Sequence, residues 1–201
     1  MHTSRVSNHI PPWYNVYIMS TYYVVVATII AFVVALGSVV LYMLLSGKRK
    51  TRVPYLPICT ELLPHIAGML DLNRESILYD LGSGDSRVLR YCIDKYPYLR
   101  AVGVEWALLP HTIARLWNMI HPRRNLRLLH GNFFHISISE CTHLFIYLLP
   151  EVMNELLPKL KAELSAETRI ISCDFKFDAI EPIESREIFV GKRMYTLYAY
   201  S

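Results

Sequence analysis

Hydrophobic positions along the chain begin with one long uninterrupted run and continue as shorter runs separated by polar residues. The run at 22–45 contains 24 residues without a single charge. A helix of that length spans about 36 Å, enough to cross the hydrocarbon core of a bilayer, which is about 30 Å thick. The run continues past Ala35, where a signal peptide could be cleaved, and only Arg5 precedes it as a charge. We therefore expect a retained transmembrane helix at 22–46.

The remaining apolar runs alternate between short segments typical of strands and longer segments with helical spacing. We predict helices at 58–70, 86–95, 108–120 and 151–164, and strands at 77–80, 100–105, 125–130, 142–148 and 169–173. Two strand-like runs around Gly191 predict a terminal hairpin of 186–190 and 194–201. Strands that alternate with helices and end in a hairpin predict an α/β fold, with a Rossmann-like, mostly parallel sheet and one antiparallel strand.

The charge distribution separates the same two parts of the chain. The formal net charge is +4, but no acid accompanies the basic residues before Val53, whereas 16 basic and 17 acidic residues follow from Val53 onward. The basicity is therefore confined to the N-terminal part and gives no argument for a nucleic-acid partner. The 4 cysteines are scattered without a C-x-x-C pair, which favours reduced thiols over a disulfide framework or a metal site.

A basic cluster at 48–52 directly follows the apolar run and sets its predicted orientation. The positive-inside rule puts this cluster and everything after it on the cytoplasmic side of a membrane, or on the matrix side in a mitochondrion. The cluster also suits anionic lipid headgroups, so the lipid bilayer is an expected partner. The predicted organisation is a non-cytoplasmic segment at 1–21, the transmembrane helix at 22–46, a basic juxtamembrane linker at 47–57 and a domain at 58–201.

A glycine-rich turn joins the first strand of the domain to a helix and is the clearest candidate for a ligand site. Gly82 and Gly84 leave room for a ligand to lie on the backbone, and the following helix offers unpaired N–H groups. A dinucleotide site would need a third glycine where Arg87 stands, and no acids facing the pyrophosphate. The acids that flank the turn instead suit the ammonium and sulfonium groups of S-adenosylmethionine. The predicted cofactor-binding residues here are Asp80, Gly82, Ser83, Gly84 and Asp85.

Other polar residues stand at the ends of the later strands. Glu105 ends the second strand about twenty residues after the turn, where a carboxylate can accept from both ribose hydroxyls. Tyr147 and Pro150 follow the fourth strand, beside the place where a methyl group would project. Glu151 and Asp174 are the nearest carboxylates that could help an acceptor amine lose its proton. We expect Tyr147, Pro150 and Glu151 to form the catalytic side of the site.

Several blocks of sequence resemble the small membrane-anchored class I methyltransferases. Their order is most similar to the family with sequence similarity 173, and the resemblance covers residues 53–177. The blocks that carry it are Val53-Pro54, Asp80-Leu81-Gly82-Ser83-Gly84-Asp85, Ala101-Val102-Gly103-Val104-Glu105, Ile146-Tyr147-Leu148-Leu149-Pro150-Glu151, Leu157-Pro158-Lys159-Leu160 and Ser172-Cys173-Asp174-Phe175.

The resemblance implies a class I methyltransferase sheet, S-adenosylmethionine as cofactor and a lysine-bearing membrane protein as substrate. Animal members of that family are mitochondrial protein-lysine methyltransferases that act on the adenine nucleotide translocase and on the membrane-embedded ring protein of ATP synthase. Asn132 stands where the family has an acid after the third strand, so we expect it near the adenine. Ser86 stands where the family usually has a third glycine.

Two other functions stay open at this point. One is a membrane-tethered binding module with the same fold and no catalysis, to which Ser86 lends modest support. The other is a nucleotide-linked oxidoreductase, which the two acids of the turn and Arg87 disfavour.

Overall fold

The computed structural model describes residues 12–47 and 56–201, with the side chains of the first range described for residues 19–42. The chain divides into two units, an N-terminal unit that contains one long helix and a second unit that contains the sheet. The segments 1–11 and 48–55 lie outside the described residues. The basic cluster at 48–52 belongs to them.

The N-terminal unit contains helix α1, Pro12–Gly47, which confirms the predicted helix and extends it at its start. Its stretch Met19–Tyr42 has a mean hydropathy of 2.9, with no part of that stretch buried in the protein. The earlier start was not predicted because residues 12–21 lack a clear hydrophobic period. Pro12 suits the first position of a helix, where a missing N–H costs nothing. That this helix crosses a membrane stays a prediction, since length and composition alone support it.

The second unit is built on a sheet of 7 strands in the order β3-β2-β1-β4-β5-β7-β6. Strand β7 is antiparallel to both its neighbours and the other strand pairs are parallel, which confirms the predicted architecture. The strands are β1 Ile77–Leu81, β2 Arg100–Glu105, β3 Leu126–His130, β4 His143–Ile146, β5 Arg169–Cys173, β6 Glu184–Val190 and β7 Arg193–Tyr200.

Helices cover both faces of the sheet because its strands carry apolar side chains on both sides. Helices α2 Leu63–Leu70 and α3 Arg87–Lys95 pack on one face, against residues such as Leu78. Helix α5 Pro150–Glu163 packs on the other face, against residues such as Tyr79. Helix α4 Leu108–Ile120 connects β2 to β3.

The first helix of the domain is shorter than the prediction of 58–70. A 3₁₀ turn, Thr60–Leu62, precedes α2, and Pro64 lies in the first turn of α2 instead of kinking a longer helix. Proline has no N–H to donate, so it fits the start of a helix and not its interior. The predicted apolar face is nevertheless buried, and it consists of Leu62, Leu63, Ile66, Met69 and Leu70.

Strand β4 also ends earlier than predicted, at Ile146 instead of residue 148. The chain leaves the sheet at Tyr147, and Leu148 then packs against the glycine-rich turn. All 4 cysteines are free thiols, as predicted, and 3 of them are buried.

Candidate functional site

The parallel strands bring the predicted site residues to one edge of the sheet, where their carboxyl ends meet. Because the order of the strands is known, the order of these residues along the edge follows from it. From β3 toward β7 the edge presents Asn132, Glu105, Asp80, Tyr147, Asp174 and Arg193.

The glycine-rich turn adopts the backbone conformation that its glycines predicted. Gly82 and Gly84 have φ angles of 84° and 55°, in the left-handed region that favours glycine. The turn is fixed to β2, because Gly82 N and Ser83 N donate to Val104 O at 2.8 and 3.1 Å. A Cβ added at Gly82 would lie 3.0 Å from Leu148 Cδ2, so a side chain there would press against the segment after β4.

A further glycine, Gly103 in β2, was not assigned a role from sequence. It lies opposite Asp80 in the register of β1 and β2. A Cβ built on Gly103 would be 2.8 Å from Ser83 Oγ, 3.1 Å from Ser83 Cβ and 3.0 Å from Leu89 Cδ1. Gly103 therefore lets the turn and the start of α3 approach the sheet closely. Its central place in a buried strand was the signal for such a role.

Ser86 occupies the position just before α3, where the resembled family usually has glycine. Its φ of 60° puts it in the left-handed region, and its side chain is fully buried. Such a conformation costs an L-residue about 1–2 kcal/mol, which explains why glycine suits the position. Ser86 Oγ donates to Ser83 Oγ at 3.3 Å, and Ser86 N donates to Ser83 O at 2.7 Å. The turn therefore keeps its closed form with serine at this place.

Asp80 is the most unusual residue of the edge, because it is a buried acid for which the described residues offer no cationic partner. Only 3% of it is exposed, and the causes of its pKa shift include no hydrogen-bond donor and no cation among these residues. Burial raises the pKa of Asp80 well above its ordinary value, and the nearby acids Glu105 and Asp85 raise it further. An acid in this setting favours a positively charged ligand.

The two other acids of the turn region have partners, and Asp85 has cationic ones. Asp85 accepts from Arg87 Nε at 2.9 Å and from Arg87 Nη2 at 2.9 Å, and Arg90 Nη2 lies 3.5 Å away. Its charge is therefore balanced by the protein itself. Of the acids predicted from the turn, Asp80 is the one left to balance a ligand's charge.

Glu105 joins the end of β2 to the turn. Its Oε2 accepts from Gly84 N at 2.8 Å and its Oε1 accepts from Ala107 N at 2.6 Å. Burial raises the pKa of Glu105, and the backbone N–H donors oppose that shift. The backbone N–H of Trp106 also stabilises the charged carboxylate. A carboxylate has about four acceptor positions, so at least one is left for a ribose hydroxyl, and the role predicted for Glu105 is compatible with these bonds.

Asn132 follows β3, as predicted, and its side chain has a local partner. Asn132 Oδ1 accepts from Phe134 N at 3.0 Å and caps the short 3₁₀ helix Phe133–His135. With Asn132 near the adenine, we expect this carbonyl to accept from the adenine amino group. The cap occupies one of its two lone pairs, so the second lone pair is the one that suits the adenine.

Past β4 and β5, three side chains form a cluster that we call the acceptor cluster: Tyr147, Asp174 and Arg193. Tyr147 OH donates to Asp174 Oδ2 at 3.1 Å, and Arg193 Nη2 donates to the same oxygen at 3.0 Å. Asp174 Oδ1 accepts from Thr196 N at 3.3 Å. Burial, followed by the charge of Asp174, raises the pKa of Tyr147 to about 12, so its hydroxyl stays protonated at neutral pH.

The acceptor cluster differs from the predicted catalytic set in its members. Tyr147 belongs to it, and its ring stacks on Phe175 with the ring centroids 6.2 Å apart. Asp174, which was the second acid considered, belongs to it too. Pro150 and Glu151 begin α5, and the side chain of Glu151 is exposed to solvent. Arg193 was missed, because a single arginine in a terminal hairpin carries no sequence signal of its own.

The edge therefore has two chemically different parts. The part around Asp80 and Glu105 combines an uncompensated carboxylate with a turn that leaves room for a ligand, and these features fit the positive charge and the ribose of S-adenosylmethionine. The part around Tyr147 and Asp174 offers hydrogen-bonding groups next to it, because β4 pairs directly with β1. A cofactor held in the first part would have the second part as its neighbour.

Comparisons with known proteins identify the family of the chain. The ANTKMT methyltransferase domain matches residues 80–184. A protein-lysine N-methyltransferase of Saccharolobus islandicus (strain REY15A) is 31% identical over 151 residues, which cover 74% of this chain and 92% of that protein. The adenine nucleotide translocase lysine N-methyltransferase of Mus musculus is 25% identical over 159 residues, covering 75% of this chain and 64% of that protein. The match thus spans less than two thirds of the mouse relative.

A solved structure gives the same picture of the fold and the cofactor. An RNA methyltransferase from Salinibacter ruber, in complex with S-adenosyl-L-homocysteine, superposes with a TM-score of 0.64 and 27% identity. The superposition covers 72% of this chain and 93% of that one. S-adenosylhomocysteine is what remains of S-adenosylmethionine after its methyl group has been transferred.

Proposed function

The chain belongs to the protein-lysine methyltransferase family defined by the ANTKMT methyltransferase domain, and from this we propose that it methylates a lysine of a membrane protein. S-adenosylmethionine is the cofactor. Membership in this family excludes the nucleotide-linked oxidoreductase and leaves the inert module as the alternative to be tested.

The observation that carries the proposal is the buried carboxylate of Asp80, for which the described residues supply no cationic partner. A fold that buries an acid without a partner loses stability unless a ligand supplies the opposite charge. The ammonium group of S-adenosylmethionine supplies it, whereas a phosphate would be repelled. Glu105 lies one strand away and has an acceptor position left for a ribose hydroxyl.

The bound cofactor supplies a methyl carbon already activated by the adjacent sulfonium, so the protein's task is alignment. Positioning of that kind can contribute several kcal/mol to a displacement reaction. Tyr147 donates its O–H to Asp174, and Arg193 Nη2 approaches the phenolic oxygen at 3.4 Å. One lone pair of this oxygen is left to accept from the N–H of an uncharged lysine amine, which would aim the nitrogen's own lone pair at the methyl carbon.

Asp174 orients Tyr147 in this proposal and is not the strong base. Its oxygens already accept from Tyr147, Arg193 and Thr196. The acceptor lysine gives its proton to solvent water before the displacement, and the low polarity of the half-buried edge favours the uncharged amine. Asp174 also has a left-handed φ of 61°, and local strain of this kind is frequent at functional sites.

The membrane part of the proposal rests on two supports. The mouse relative is named for the adenine nucleotide translocase, which is a membrane protein. This chain carries its own candidate span at Met19–Tyr42. Residues 48–57 reach at most about 36 Å when fully extended, so a membrane-embedded helix would keep the domain near the bilayer. By the positive-inside rule the domain lies on the cytoplasmic side, or on the matrix side in a mitochondrion.

Labelled methyl transfer tests this function. The full chain in lipid nanodiscs is supplied with S-adenosylmethionine carrying a labelled methyl group and with a transmembrane peptide that bears one lysine near the headgroups. The expected product after hydrolysis is methyl-lysine, and a peptide with arginine at that position is the control. If RNA added beside the peptide took up the label in place of the lysine, the acceptor would be nucleic acid, and cofactor binding without any transfer would identify an inert module.

A further inference from the structure

The β6–β7 hairpin extends beyond the carboxyl edge of the sheet. Strand β7 pairs with β5 only from Leu197 to Tyr200, whereas its pairing with β6 continues to the turn at Val190 and Arg193. Residues 193–196 of β7 lie outside the ladder with β5 and correspond to about 13 Å of strand, and Thr196 O accepts from Asp174 N at 2.7 Å where the ladder ends. We call this two-stranded end the hairpin tip, residues 187–196. Through Arg193 it contacts the acceptor cluster.

The hairpin tip exposes large apolar side chains on one of its faces. Phe189 is 70% exposed and Met194 is 47% exposed, and the two residues face each other across the strands. Ile188, on the opposite face of the ribbon, is buried in the domain core. Lys192 stands exposed at the turn itself. The tip therefore combines an apolar pair with a basic residue at its outermost point.

The chain enters the domain at this same edge. Arg87 begins α3 directly after the glycine-rich turn, and its Nη1 donates to Ile58 O at 2.9 Å. Ile58 lies in the same buried cluster as Ile188 of β6. The described part of the domain therefore begins beside the glycine-rich turn, at the carboxyl edge of the sheet.

We infer that the hairpin tip contacts the bilayer, with Phe189 and Met194 in the interfacial region and Lys192 among anionic headgroups. This inference rests on the proposed function, because it concerns the way in which the acceptor cluster faces a lysine at the membrane surface. Apolar side chains next to basic ones are the pattern of interfacial membrane contacts. The candidate span supplies the second argument, since a tethered domain meets the bilayer at high effective concentration and needs only weak contacts.

The charged groups around the tip are compatible with this role. Arg193 is bound to Asp174 and so faces the acceptor cluster. Glu187 pairs with Thr196 at the base of the tip, farther from the turn than Lys192. The outermost charge is thus the ammonium of Lys192, which anionic headgroups attract.

Photo-crosslinking in the full chain tests the contact. Phe189 is replaced by p-benzoylphenylalanine, which keeps an aromatic apolar side chain, and the protein is placed in nanodiscs of phosphatidylcholine with phosphatidylglycerol. Met119 in α4 is the matched control site. It is also 70% exposed, and it lies in the helix before β3, the outermost strand on the side of the sheet away from β6. We expect lipid adducts at position 189 in about tenfold excess over position 119, as a tethered contact implies. Equal yields of lipid adducts at the two positions would overturn the inference.

A second pair of variants separates this inference from the proposed function. Phe189→Glu should slow methylation of the membrane-embedded lysine by about tenfold. The variant removes an apolar contact with the bilayer, and the free energy of such a contact corresponds to about that factor in affinity. The rate with a soluble lysine peptide should stay unchanged, and Met119→Glu should alter neither rate. Equal loss with both substrates would show that Phe189 serves the site or the fold and not the bilayer. Absence of methylation with every lysine acceptor would refute the proposed function, while the lipid adducts would still report on the contact.

Discussion

At the scale of single residues, Asp80 and Arg193 differ in what their neighbours in sequence reveal. Asp80 could be proposed as a site residue from sequence because it ends an apolar run and precedes alternating glycines. Arg193 could not, because it lies far along the chain from Tyr147 and meets it only through the pairing of β7 with β5. Long-range pairing of this kind leaves no local pattern in a sequence.

Replacing Asp80 with asparagine should stabilise the protein without ligand and weaken cofactor binding. The pKa of Asp80 is raised in the folded state, so the ionised acid disfavours folding, and the stability that its protonated form provides is lost as the pH rises through that pKa. Asp80→Asn should therefore raise the free energy of unfolding by about 0.5–2 kcal/mol at neutral pH. The gain should shrink at mildly acidic pH. Urea unfolding at neutral and at mildly acidic pH measures this gain in the free energy of unfolding. A loss of stability in Asp80→Asn at neutral pH would contradict the buried environment assigned to Asp80.

Tyr147→Phe should slow methyl transfer while leaving cofactor binding intact. The variant keeps the ring that stacks on Phe175 and removes only the hydroxyl that binds Asp174. A misaligned acceptor amine should lower kcat by about 10–100-fold. The control is Tyr98→Phe, which removes the hydroxyl of an exposed tyrosine elsewhere. An unchanged kcat in Tyr147→Phe would remove this hydroxyl from the mechanism.

At the scale of elements, hydrophobic periodicity predicted the strands and helices that form the edge. The bounds of β2, α4 and β5 agree with the prediction to the residue. The early start of α1 was missed because an uncharged segment without a clear period gives no helical signal. The shortened helix before β1 was missed because the role of Pro64 depends on where the helix begins.

The contact between the turn, α3 and β2 can be tested through Gly103. Gly103→Ala should lower the free energy of unfolding by about 1–3 kcal/mol, because the new Cβ would overlap Ser83 and Leu89. Gly68→Ala in α2 is the matched control, since nothing lies within 4 Å of its added Cβ. Helix propensity predicts a gain of up to about 1 kcal/mol for that control. Chemical denaturation gives the free energy of unfolding of both variants. Equal values for Gly103→Ala and Gly68→Ala would contradict the close packing around Gly103.

At the scale of the whole molecule, charge and hydropathy along the sequence separated an apolar N-terminal segment from a catalytic domain. The mostly parallel sheet and its single antiparallel strand also followed from the alternation of elements. What the sequence did not predict is how far the hairpin extends past the edge, because strand register depends on side chains from distant segments. That extension is the basis for the proposed contact with the bilayer.

Deleting residues 1–47 should spare cofactor binding and impair only the methylation of a membrane acceptor. All the assigned cofactor residues lie between Asp80 and Asn132, in the unit that the deletion retains. Loss of the tether should lower the rate on a vesicle-embedded lysine peptide by about 100-fold, since effective concentration is lost. The rate on a soluble lysine peptide serves as the control. If the truncated protein modified the embedded peptide as fast as the full chain at equal concentration, the tether would not select the substrate.

The most direct test of the central claim is a calorimetric titration of the full chain with S-adenosylmethionine and with 5′-methylthioadenosine, which keeps the adenine and ribose but lacks the ammonium. We expect saturable binding of S-adenosylmethionine that Asp80→Ala weakens by about 1.5–3 kcal/mol, the range for hydrogen bonds to charged groups. Asp80→Ala should not affect the binding of methylthioadenosine, whereas Glu105→Ala should weaken the binding of both ligands. Absence of S-adenosylmethionine binding, or equal effects of Asp80→Ala on the two ligands, would contradict the assignment of this edge as the cofactor site.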